Sequence, residues 1–206
     1  MIFPRVALCS TIVAALVLAP VVVSAQGPMS TGTTAVGTND PFWDISVNGG
    51  TFYDAFVLNR PGGTATSNWI GARADGSQDG GAADGNYSRF LYSFRTTFTG
   101  TSGMSVTYEC ARDDTFFSVI LNGATVAGAT CPGYTLSTPF TISSGFNNGA
   151  NTLQFNIGGN GITDGLLVDI TDVTIPSSGV PEPTSILLFA SGLIGLAVAG
   201  RSRRKA

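Results

Sequence analysis

Between Ser88 and Thr99 the chain alternates with period two: Phe90, Tyr92, Phe94, Thr96 and Phe98 are separated by Leu91, Ser93, Arg95 and Thr97. Successive side chains take opposite faces only in extended backbone, so this stretch predicts a half-buried β-strand with its aromatic rings inward. Further strands are predicted from Phe42 to Val47, Met104 to Ala111, Thr115 to Leu121, Thr152 to Ile157 and Leu166 to Ile175. Asn122-Gly123 sits between Ser118-Val119-Ile120-Leu121 and Ala124-Thr125-Val126, a strong signal for a two-residue type I′ hairpin. No amphipathic helical period interrupts these runs. With 27 glycines and only 11% charged residues, the polar positions fall to Thr, Ser and Asn, which favours strands and turns. Several strands at short spacing with Gly-rich turns imply an all-β sandwich over residues 41–175, preceded by a mobile Gly/Thr/Ser leader over 26–40.

Two apolar runs flank that domain. Residues 1–25 have the form of a secretory signal peptide: Arg5, an uncharged run from Val6 to Val23, then Val23-Ser24-Ala25 for signal peptidase, with cleavage between Ala25 and Gln26. Cys9 leaves with it. The alternative is an N-terminal membrane anchor. At the other end, a linker over 176–183 carries Val180-Pro181-Glu182-Pro183. A candidate transmembrane helix over 184–200 follows, then a basic tail over 201–206 with Arg201, Arg203, Arg204 and Lys205. Eighteen uncharged residues separate Glu182 from Arg201, about 27 Å as a helix and enough to span a bilayer core with basic residues snorkelling at one end. The basic cluster stays cytoplasmic, which places the domain outside the inner membrane.

The order Pro-Glu-Pro, apolar span, Arg-rich cluster resembles the PEP-CTERM sorting signal. That resemblance implies an exosortase that recognises Pro181, Glu182 and Pro183 and processes the protein, in bacteria that make exopolysaccharide. Two prolines fix φ and cannot continue a helix, which keeps the motif extended and accessible. The alternative is a plain C-terminal anchor behind a Pro-rich linker.

Composition removes several functions. The chain has no His, which takes away Ser-His-Asp and Cys-His catalysis, His-ligated zinc and His acid/base chemistry. Between Gln26 and Gly179 five arginines and no lysine stand against twelve acids, a net charge of −7. With no basic patch, nucleic acid is not an expected partner. Cys110 and Cys131 are the cysteines left after export, and an oxidising compartment favours one disulfide between them over two free thiols.

A second resemblance is broader. Trp69-Ile70, the run Tyr92 to Phe98, Arg112-Asp113-Asp114 followed by Leu121-Asn122-Gly123, and Phe146 to Phe155 together look like a galactose-binding-like jelly-roll domain, over about Pro41 to Thr174. It implies a jelly roll in which an aspartate near the start of one strand precedes the Leu-Asn-Gly hairpin. It does not fix a ligand.

Several residues invite a functional reading beside a plain one. Trp43 and Trp69 would suit stacking on sugar rings, or core packing. Arg112, Asp113, Asp114 and Asn122 would hydrogen-bond sugar hydroxyls at one end of the sandwich, or tie a loop to its neighbour. Asp75, Ser77 and Asp79 place oxygens at i, i+2 and i+4, followed by Gly80, with Asp84 as a further oxygen. That resembles the opening of a calcium loop, although Asn86 stands where a bidentate Glu belongs, and a solvated Gly/Asp loop is the alternative.

The expectation is an exported, exosortase-processed surface or matrix protein, not an enzyme, with a sandwich that binds exopolysaccharide or another glycan or packs into the matrix. It would be held only transiently at the inner membrane. A purely structural envelope protein, or a carboxylate-dependent glycoside hydrolase using Asp113 and Asp114, are the alternatives. Adjacent strand residues point to opposite faces, which weakens that last pair.

Overall fold

A computed structural model describes residues 25–176. The signal-peptide reading over 1–24, the Pro-Glu-Pro motif, the 184–200 span and the basic tail lie outside the described residues. Among the described residues no helix is long and apolar enough to cross a membrane.

Among the described residues ten antiparallel strands follow one another: β1 (Asn39–Val47), β2 (Tyr53–Val57), β3 (Ile70–Gly71), β4 (Phe90–Gly100), β5 (Ser105–Arg112), β6 (Thr115–Leu121), β7 (Ala124–Thr125), β8 (Phe140–Ile142), β9 (Gly149–Gly159) and β10 (Leu166–Thr174). They form one continuous ladder in the order β7-β6-β9-β4-β1-β2-β3-β10-β5-β8. The alternating run is β4, and its inward set Phe90, Tyr92, Phe94 and Thr96 is buried. It pairs along its whole length with β9, from Phe90 opposite Gly159 to Gly100 opposite Gly149.

The ladder curls over on itself as a half-barrel. Tyr108 of β5 and Phe155 of β9 lie six strands apart in the order, about 29 Å in a flat sheet at ordinary strand spacing. Their rings are nevertheless 5.2 Å apart, edge to face. Trp43 of β1 also meets Phe155, at 6.0 Å. The expected sandwich is therefore one sheet with its two halves facing across an aromatic and aliphatic core. The short strand β3 keeps it continuous by pairing with both β2 and β10.

Asn122 and Gly123 have φ of 51° and 83°, and the hairpin forms as expected between β6 and β7. Strands β2, β3 and β8 were not expected; at five, two and three residues they are too short for a period to show.

Within the segment 26–40, Pro28, Ser30, Thr31, Gly32 and Asp40 are buried, while 35–39 are exposed. Gln26 N–H donates to the Thr99 carbonyl. Thr31 is fully buried and pairs with Val168, its backbone N–H donating to the Val168 carbonyl while its hydroxyl oxygen accepts from the Val168 N–H, both at 2.9 Å. Buried Asp40 accepts N–H bonds from Gly32 at 2.6 Å and Phe42 at 2.9 Å. Hydroxyl and carboxylate side chains here do what strand pairing does elsewhere, so a segment without apolar periodicity is still fixed.

Cys110 on β5 and Cys131 form the expected disulfide, with Cα atoms 5.4 Å apart.

Candidate functional site

Three loops converge at one end of the half-barrel: the β2–β3 loop, the β5–β6 turn and the β9–β10 turn. Asp113 in the β5–β6 turn donates its backbone N–H to the Gly165 carbonyl, which ties that turn to the β9–β10 turn. Its carboxylate is 2.8 Å from the Arg60 guanidinium, and its side chain is only 6% exposed. Arg60 also donates to the Thr163 carbonyl at 2.6 Å and lies over the Trp69 ring, 4.5 Å from its centre. One cation thus joins all three loops. A buried carboxylate without such a partner would bear a large desolvation cost, so Arg60 and Asp113 depend on each other.

Asp114 stands beside this pair at φ 72°, in the left-handed region that a short polar side chain tolerates. Its carboxylate accepts the Asn160 N–H at 3.0 Å and the Tyr134 hydroxyl at 3.4 Å. Partial burial, then the charge of Asp113, push its pKa up to about 6. Partial burial and the same two carboxylates push Tyr134 up to about 12. Beneath them Asp164 is buried, accepting from the Tyr92 hydroxyl at 2.6 Å and from the Gly161 N–H at 2.6 Å. Burial raises its pKa, against the lowering effect of these bonds. The surface of this end therefore presents the Asp114 carboxylate, its pKa raised by burial and by Asp113, beside the largely exposed phenol of Tyr134.

The other sequence-derived candidates divide. Arg60 brings Asp113 and Trp69 together, and Asp114 joins them as the chain neighbour of Asp113. Trp43 and Trp69 are core residues, 1% and 2% exposed, with their indole N–H groups donated to the Met29 and Pro61 carbonyls. Neither ring presents a face to a sugar, which corrects the stacking reading. Arg112 donates to the Cys131 and Pro132 carbonyls and clamps the disulfide loop. Asn122 donates to Gly145 and Asn151 and accepts from the Thr152 N–H, so it locks its own hairpin to β9.

The suggested calcium ligands do not converge. Asp75 accepts from the Ser77 backbone and hydroxyl, Asp79 pairs with Arg73, and Asp84 pairs with Arg89. Among the described residues no three His, Cys, Asp or Glu side chains gather to hold a metal ion.

Arg60, Tyr134, Asn160 and Asp164 are the members of this end that the sequence did not mark. Each lies in a loop rich in Gly, Pro or Asn, where turn chemistry explains a polar residue without invoking a site.

No curated protein and no solved structure matches the chain. Residues 179–205 match the PEP-CTERM protein-sorting motif, the signal of exosortase-dependent sorting to the cell surface.

Proposed function

We propose that this protein is a non-catalytic component of the cell surface or extracellular matrix, whose β-domain contacts glycan after processing at both ends. The observation that carries the reading is the sorting motif over 179–205. Signal peptidase releases the chain after Ala25. The apolar span over 184–200 holds it transiently at the inner membrane, and exosortase acts at Pro181-Glu182-Pro183.

Two features support the reading. Gln26, the expected first residue of the mature chain, is bridged to Thr99 and so belongs to the folded domain. The chain also lacks His, and Asp113 is engaged by Arg60 and shielded from solvent, which leaves Asp114 without a second open carboxylate beside it. The resemblance to galactose-binding-like jelly rolls agrees with an all-β domain of this kind.

The test is intact mass and cell fractionation in the native host, with and without its exosortase. The reading expects a mature species beginning at Gln26 and ending near Pro181 to Pro183, lost from the surface in the deletion strain. A full-length C-terminus retained in the inner membrane of both strains would overturn it.

A further inference from the structure

The outer face of β1, β4, β9 and β6 carries a row of neutral polar side chains flanked by the exposed ring of Phe117 and the half-buried ring of Phe52. Ser93, Asn156 and Ser118 are register partners on three neighbouring strands. The Ser93 hydroxyl donates to Asn156 Oδ1 at 2.8 Å, Asn156 Nδ2 donates to Ser118 Oγ at 3.0 Å, and Gln154 Nε2 donates to Asn156 Oδ1 at 2.8 Å. These bonds fix both amides among their neighbours. They leave the Gln154 carbonyl, the Ser118 hydroxyl hydrogen and one N–H of each amide for an outside partner.

One flank is made by a bulge. Phe116 pairs with Ile157 and Ser118 with Asn156, so Phe117 is the extra residue of β6, and its ring is turned outward, 50% exposed. The ring lies against Gly158 of β9, where a Cβ would stand 2.9 Å from Phe117 Cε2; only glycine leaves that room. Leu91, opposite Gly158 on β4, is exposed beside it. On the other flank Arg95 is paired with Asp44 at 3.0 Å and sits 3.7 Å from the centre of the Phe52 ring. Its charge is neutralised at the surface.

We infer that this face binds a neutral, extended polysaccharide chain lying across the strands. The inference rests on the glycan-contacting reading above and gives it a site and a ligand class. Amide and hydroxyl groups match sugar hydroxyls, and the Phe117 ring matches the apolar C–H face of a pyranose. Charge decides the class. The row holds no uncompensated cation, and the domain has five arginines against twelve acids, so a polyanion is repelled.

The experiment is affinity electrophoresis of the processed protein from its own cells, in gels containing a soluble neutral β-glucan, a neutral galactomannan or polygalacturonate. Wild type is retarded by at least one neutral polymer. Phe117→Ala and Asn156→Ala each weaken the retardation about tenfold, the usual cost of truncating a central contact. Val36→Ala, an exposed position of the leader outside this face, leaves it unchanged, and unfolding midpoints confirm that all variants are folded. Retardation that persists in Phe117→Ala and Asn156→Ala, or that occurs only with polygalacturonate, overturns the face or the ligand class while leaving surface sorting intact. Absence of retardation by both neutral polymers overturns the inference. Failure of sorting itself is read separately, by fractionation.

Discussion

Replacing Arg60 by methionine keeps a long side chain against Trp69 but removes the only cation that meets Asp113 among the described residues. The Asp113 side chain is 6% exposed and that of Arg60 23%, so the pair is mostly but not wholly withdrawn from water. Removing one partner of a buried pair costs about 3–5 kcal/mol, and the wet side of Arg60 places this case at the lower end, about 3 kcal/mol, with the lost bond to the Thr163 carbonyl included. Urea unfolding reads it directly, because Trp43 and Trp69 are the only tryptophans and both are buried. With a slope of about 2 kcal/mol per molar, the midpoint of Arg60→Met falls by about 1.5 M. Adding Asp113→Asn should restore more than half of the loss, since the buried charge is then gone as well. A single variant within about 0.5 kcal/mol of wild type, or a double variant no better than the single, would refute the claim that Asp113 depends on Arg60.

Asp114 gives a pH test. Its pKa is raised from 3.8 to about 6 in the folded domain, so the fold binds this proton more tightly than the unfolded chain does. The stability it contributes is fully present below about pH 4 and is lost as pH rises through about 6. Contact with water screens the effect to about 1 kcal/mol. Asp114→Asn, tolerated at φ 72°, should flatten stability between pH 4 and 6.5 and gain about 1 kcal/mol at pH 7.5 in the same urea titration. The disulfide closes a loop of 21 residues in sequence separation, and the Cys110→Ser, Cys131→Ser double variant should lose about 3 kcal/mol relative to the oxidised protein. Reduction of wild type should produce the same loss.

What the sequence determined is local. The period-two run of β4 places its rings inward whatever it packs against, Asn122-Gly123 builds its turn from two positive φ angles, and the sorting motif is contiguous over 179–205. The pairing of Cys110 with Cys131 was legible because no other cysteine remains in the exported domain. Tertiary structure decided everything that depends on residues distant in the chain. Whether Trp43 and Trp69 face a ligand or the core depends on the carbonyls of Met29 and Pro61, and no local pattern distinguishes the two. Arg60 finds the Thr163 carbonyl across 103 residues of sequence. The leader is fixed by Thr31 against Val168, 137 residues away. Phe117 faces outward because β6 carries one residue more than β9 opposes, a count that belongs to the pair of strands and to neither alone. Backbone preference and side-chain alternation are written in neighbouring residues. Pairing of buried charge, curling of the sheet and the aim of a bulge arise only when distant segments close on one another.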